Sequence, residues 1–410
     1  MTCVKIWVLV IVLCMSEAAL AQLFVTPLGG VPYQDWTIVN YMDLDSSSGV
    51  LDYNGGNYAY NGHDAIDMTL ANFAKMDAGV AVLAAAAGTV TTVQDGFFDR
   101  CTSENPCPGG NVNLIRIDHG GGLVTEYYHL RKNSPMVLVG QAVTQGQQIA
   151  WVGSSGSSSD AHLHFTVKQN GTSIETYLNP STYWIDPLPY SGDVPGALDF
   201  GVTDHPPTTP ELRERPEEVK FFFADQSNTA TMWLNLHGIS NDSLRIRWFR
   251  PNGTVFDTNT SNISQIRYGW QTDSVSLPTN ALGEWQVVAT LNPLTSPQEL
   301  GRVKFNMVIP GDLNLDGNVD QQDATAFVAG WLYQQATADI NSWKKGDLTL
   351  DGKVDLFDAY QLHIAMMASG AGGFNFALLA DVPEPSGVML TIFAAMCVSA
   401  GFRRRARKTT

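Results

Sequence analysis

Residues 162–167 alternate strictly. His162, His164 and Thr166 take one set of positions, and Leu163, Phe165 and Val167 take the other. Residues two apart on a strand share a face. The segment therefore predicts a β-strand with an apolar back set into a core and two imidazoles on its front. A chain carrying it must build a sheet that buries one face and leaves the other for chemistry. The same period recurs at 88–93, 112–117 and 123–128, each run bounded by Gly or Asp turns, and no long helical pattern precedes residue 195. The reading is all-β for this part of the chain.

Three more candidate groups lie in the same region. His63 and Asp67 stand four apart, an even spacing that lets both point one way on a strand, and His129 follows Tyr127-Tyr128. Zinc takes nitrogen and oxygen ligands, and its catalytic sites keep three protein ligands with one position open. Two His and one carboxylate meet that need. Zinc-bound water has a pKa of about 7, which makes hydroxide available at neutral pH. His119 sits in a Gly-rich turn and receives no role. His237 is alone in its region and reads as structural.

The order His-x-x-x-Asp (His63, Asp67), Gly88-Thr89-Val90, Tyr127-x-His129-Leu130, the Gly-rich run 153–157, then His162-Leu163-His164-Phe165 resembles the lysostaphin-type zinc endopeptidases of peptidoglycan. The resemblance covers about residues 50–185. It implies a β-sheet peptidase domain of the duplicated hybrid motif type. It also implies zinc on His63, Asp67 and His164, with His129 and His162 as catalytic histidines. These would orient or deprotonate the zinc-bound water and stabilise the oxyanion. The sequence departs from the family at Ala65, where Gly is usual, at Asp160-Ala161 in place of Gly-Pro, and at Thr166 in place of an acidic residue. No ligand or catalytic His is lost, so the departures bear on substrate preference.

Residues 311–323 recur as 346–358. Oxygen-bearing side chains stand at loop positions 1, 3, 5, 9 and 12, with Gly at 6, which is the logic of an EF-hand Ca²⁺ loop. The first set is Asp312, Asn314, Asp316, Asn318 through its carbonyl, and Asp323. The second is Asp347, Thr349, Asp351, Lys353 through its carbonyl, and Asp358. The pair resembles a type I dockerin module, which implies two Ca²⁺ ions and a cohesin-like protein partner. The helical stretches 324–333 and 359–367 would carry the docking surface, and Val319 and Val354 would pack the loops together. An internal Ca²⁺-stabilised spacer is the competing reading.

The remaining sequence sets the organisation. Residues 1–21 read as a signal peptide: Lys5, an apolar run at 6–15, and Ala19-Leu20-Ala21. The zinc peptidase domain is placed at 22–200, a Pro-rich linker at 201–217, a small β-sandwich at 218–309 and the calcium module at 310–370. The tail 382–410 joins Pro383-Glu384-Pro385, an uncharged run and an Arg cluster. It resembles a PEP-CTERM sorting signal with a transmembrane helix and sorting machinery as its partner. The protein is thus expected to be exported to the cell envelope or surface, anchored transiently or permanently. Cys101 and Cys107 bracket a short loop, and in an oxidising compartment they are expected to pair. A net charge of −16, with five of the 24 cations in the last ten residues, excludes nucleic-acid binding as the main function. Two alternatives to a peptidase stand: a catalytically silent wall-binding or hydrolase-activating protein, and an assembly protein working through the dockerin-like module. The complete set of five site residues favours the enzyme.

Overall fold

The computed structural model describes residues 23–380 apart from 225, 227 and 293. The expected signal peptide, 1–21, and the PEP-CTERM-like tail, 382–410, lie outside the described residues. The chain divides into two units, one ending at Val194 and one beginning at Pro195. Among the described residues no helix is long and apolar enough to cross a membrane.

The first unit is built on an eight-stranded sheet. Its strands are β1 (Trp36–Asn40), β2 (Ile66–Leu70), β3 (Gly88–Gln94), β4 (Leu114–Asp118), β5 (Leu123–Tyr128), β6 (Ala142–Val143), β7 (His162–Gln169) and β8 (Thr172–Ser173). The order is β1-β2-β7-β5-β4-β3-β6, with β8 hairpinned onto β7. Strand β7 has the expected character: Leu163 and Phe165 are fully buried and Val167 nearly so, while His162 and His164 keep a small exposed fraction. Trp36, Tyr127, Ile149 and Trp184 belong to the same core. The register makes the front face into rows. Asp67 on β2 and Tyr128 on β5 flank His164, while Glu126 on β5 lies between Thr166 on β7 and Arg116 on β4. Cys101 and Cys107 are paired, their Cα atoms 5.1 Å apart.

The second unit opens inside the stretch read as peptidase and linker. Strand β9 runs Gly196–Thr203, and a capped helix α1 (Thr209–Glu214) follows. The linker expectation for 201–217 is therefore corrected. Pro210 sits where a helix start tolerates it, Thr208 and Glu211 close a capping box, and Leu212 is buried. Strands β10 (Phe221–Phe223), β11 (Asn228–Phe249), β12 (Val255–Leu277), β13 (Gly283–Leu291) and β14 (Gln298–Val308) complete a six-stranded sheet of order β9-β11-β13-β14-β10, with β12 along β11. Strand β11 is continuous over its 22 residues. Gly238 (φ 66°) and Asn241 (φ 55°) act as bends within it, not as a hairpin. The first half of β11 pairs with β9 and the second half with β13. Phe200 of β9 lies against Gly301 of β14, so the sheet curls on itself around Trp248, Trp285 and Phe305.

The repeats 311–323 and 346–358 each lead into a helix, α2 (Gln321–Gly330) and α4 (Leu356–Ser369), with the short α3 (Ile340–Trp343) between. Asp320 and Asp355 cap the two long helices. The loops are built alike. Asp312 accepts from the N–H groups of Asp316 and Gly317, and Asp347 accepts from those of Asp351 and Gly352. Asp323 and Asp358 accept from their own loops, and all four of these Asp are fully buried. Asn314, Asp316, Asn318, Thr349, Asp351 and Lys353 stand exposed. Val319 and Val354 enter one core with Phe327 and Leu362.

Candidate active site

Asp67 is the centre of the front face. It is buried on β2, directly opposite His164 on β7. Its Oδ1 lies 2.9 Å from His164 Nδ1 and its Oδ2 lies 3.1 Å from His63 Nε2. His63, Asp67 and His164 bring three ligand atoms within 4.8 Å of one another, and no other such group occurs among the described residues. His63 reaches Asp67 differently from the sequence expectation. It lies in the turn before β2, after Gly62 (φ 78°), and not on the strand. What aims it is the carbonyl of Tyr41, 2.7 Å from His63 Nδ1. Nδ1 therefore donates to that carbonyl, which turns Nε2 toward Asp67.

That Nε2 is buried and has no hydrogen-bond partner. It lies 3.1 Å from Asp67 Oδ2, so a buried ring nitrogen and a carboxylate oxygen converge on one point. A cation resolves that arrangement, and a nitrogen, oxygen, nitrogen donor set suits zinc. The residues present fit the ion.

His129 and His162 complete a ring of imidazoles. Their centroids are 4.4 Å apart, and His129 lies 5.6 Å from His164. His129 follows β5 with φ 63°, in the left-handed region that a non-glycine residue occupies only when its surroundings enforce it. Here Nδ1 is bound to the carbonyl of Ser155 at 2.6 Å. His162 Nδ1 is bound to the carbonyl of Asp160 at 2.8 Å, and its Nε2 faces Asp67 Oδ1 at 3.8 Å. Both rings thus hold Nδ1 on a backbone carbonyl and turn Nε2 toward the centre. Burial, reinforced by His162 and His164, drives the His129 pKa well below the usual histidine range, so that ring is neutral.

Several supporting residues were not legible in the sequence. Asn40 donates to Asp67 Oδ2 at 2.9 Å from a bulged position of β1. Asp64 lies 3.7 Å from His164 Nε2 and accepts from Ser173. Tyr41 and Ser155 act through their carbonyls. No spacing rule marks them, because each arrives by register or by a turn. The calcium-loop residues form no part of this site and lie in the second unit, as does His237. His119 is held by Ala87 and Thr125.

Two imidazoles and a carboxylate thus converge where one ion could be held. Residues 62–176 match the model of peptidase family M23, and residues 310–366 match that of the dockerin type I domain. The lipoprotein NlpD of Yersinia enterocolitica is 37% identical over 75 residues, which are 18% of this chain and 70% of that protein. The chain belongs to peptidase family M23. The peptidoglycan DD-endopeptidase ShyC of Vibrio cholerae is 35% identical over 72 residues, and an uncharacterized metalloprotease of Haemophilus influenzae is 36% identical over 74. These are 18% of this chain in each case, but the chain spans only 15% and 14% of those proteins. The catalytic domain of lysostaphin from Staphylococcus simulans is 24% identical, over 35% of this chain and 88% of that one, with a TM-score of 0.23.

Proposed function

We propose that the protein is an exported zinc metalloendopeptidase that hydrolyses peptide bonds of peptidoglycan cross-links. One observation carries the reading: four imidazoles surround one buried carboxylate, and His63 Nε2 is left buried without a hydrogen-bond partner. His63 Nε2, Asp67 and His164 Nδ1 would hold the ion. When bound, zinc supplies a water acidic enough to give hydroxide at neutral pH and polarises the scissile carbonyl. His129, neutral and fixed through Nδ1, accepts a proton at Nε2. His162, fixed in the same way, gives a hydrogen bond to the developing oxyanion once it carries a proton. The Ser155 and Asp160 carbonyls hold both rings in place, so little ordering is left for the reaction itself.

Family membership and the ShyC relative support the wall substrate, and the NlpD relative, a lipoprotein, supports an envelope location. The dockerin type I match supports two Ca²⁺ ions and a cohesin-like partner for the second unit. The tail would engage sorting machinery.

The test is digestion of several peptidoglycan types by the zinc-loaded chain, with mass analysis of the products. New amino termini within cross-links are expected. His129→Ala should keep its zinc and lose turnover. Zinc bound by the wild-type chain without any cut bond would instead establish a wall-binding or hydrolase-activating role.

A further inference from the structure

Beside the metal-ligand row lies a second row that the catalytic reading does not use. Glu126 of β5 faces Thr166 of β7 on one side and Arg116 of β4 on the other. Lys168 follows two residues along β7, on the same face as His162 and His164. Glu126 is buried, and both its oxygens are engaged. Arg116 Nε lies 2.8 Å from Oε1, Lys168 Nζ 2.9 Å from Oε2, and Tyr128 OH donates to Oε2 at 3.2 Å. Arg116 also donates to Tyr128 OH at 2.8 Å, and the Tyr128 ring stands edge-on to His164 at 5.6 Å. The cluster is therefore tied to the candidate metal centre through one shared aromatic ring.

Its charge is unbalanced. Two cations share one carboxylate, and they remain open to solvent (38% and 26% side-chain exposure) while the carboxylate is sealed at 7%. Residues 23–194 hold 16 Asp and Glu but only six Lys and Arg, so two of the six cations meet on this one patch. Asp64, the other carboxylate beside it, is engaged by His164 and Ser173, and it also feels the charge of Lys168. A pair serving only the fold would satisfy Glu126 with one cation. The second leaves positive charge open to solvent on the front face, and Arg presents a planar fork suited to a carboxylate. Rows two residues apart on a strand are separated by about 7 Å, the reach of two extended peptide residues.

We infer that Arg116 and Lys168, gathered by Glu126, form a subsite for a substrate carboxylate lying within about two residues of the scissile bond. The preferred substrate is thus an acidic peptide. The inference rests on the peptidase reading for the position of the scissile bond, but the carboxylate site is tested separately from cleavage.

The experiment uses the full zinc-loaded chain and cross-linked muropeptide dimers in two forms, with free carboxylates or carboxamides flanking the cross-link. Both cleavage and binding by calorimetry are measured. The wild-type chain should favour the free acid by about tenfold or more in kcat/KM and in binding, as expected for a charge-assisted contact. Arg116→Gln and Lys168→Gln should each reduce that ratio toward one. Arg116→Lys should keep part of the preference, which guards against a folding effect. Equal handling of the two forms by wild type, or a preference untouched by both Gln variants, would overturn the subsite. Preferential binding of the acid without cleavage would leave the subsite standing and remove the hydrolase.

Discussion

At the scale of single residues, the metal centre competes with a proton. Without an ion, burial works against charge on His164, but the carboxylates of Asp64 and Asp67 outweigh it and push the imidazole up to about 9. Asp67 is buried too, yet His164 and His63 hold it well below the ordinary carboxylate range. Near neutral pH the proton on His164 Nδ1 therefore sits where an ion would bind, and binding must release it. Zinc affinity should fall about tenfold for each pH unit below 9, a slope that a chelator competition series from pH 6 to 8.5 would measure. A flat profile would mean that His164 is not a ligand through that atom. Asn40→Ala removes a hydrogen bond to Asp67 and should weaken zinc by about tenfold in the same assay, since partners of a ligand commonly contribute that much. His129→Ala removes no ligand and should lower kcat by about 10²–10⁴, with zinc stoichiometry retained.

Elements explain what could be read in advance and what could not. Strand β7 was legible because its period-2 pattern is local: Leu163, Phe165 and Val167 must go inward, so His162 and His164 must go outward. The calcium loops were legible because repetition exposes the ligand positions. Asn40 and the Tyr41 carbonyl were not, since they meet Asp67 and His63 from a neighbouring strand through a bulge that no local pattern encodes. The linker was misread because Pro and charge also mark a capped helix, and only the burial of Leu212 separates the two. Gly238 carries a positive φ, which permits a bend inside a strand. The repeats carry a sharper constraint of the same kind. Gly346 has φ 112° and lies against Phe327 of α2, while Gly311 has φ 91° and lies against Ala365 of α4, so each repeat seats its first glycine on the other's helix. Gly346→Val should destabilise the second unit by about 2–4 kcal/mol through backbone strain and overpacking together, read as a lower denaturation midpoint. An unchanged midpoint would show that the repeats do not lock each other.

At the scale of the molecule, the two candidate ion sites fall in different units. The candidate zinc donors all lie before Val194, and the calcium loops all lie after Pro195. The loops are not an appendage of the second unit. Phe221 of β10 and Val308 of β14 share one core with Leu313, Phe327 and Leu362 of the repeats. Trp343 is the pivot: it is fully buried, its ring lies 5.6 Å from Phe221 and 6.3 Å from Phe223, and its Nε1 donates to the Asp312 carbonyl at 2.9 Å. Asp312 is the first oxygen of the first loop, so order imposed there is passed to the curled sheet through one indole. Ions that bind only the folded loops stabilise whatever melts with them, by about 2.7 kcal/mol for each site at a hundredfold excess over Kd. Calorimetry should therefore show two transitions. Ca²⁺ should raise the one that includes loss of the second sheet, and Zn²⁺ should raise the other. Trp343→Phe removes the Nε1 donor. It should lower the Ca²⁺-sensitive transition and reduce its response to Ca²⁺ in the circular dichroism of that sheet. A Ca²⁺ response confined to helical signal, with the sheet melting at an unchanged temperature, would separate the repeats from the sheet and return them to the status of an independent docking module.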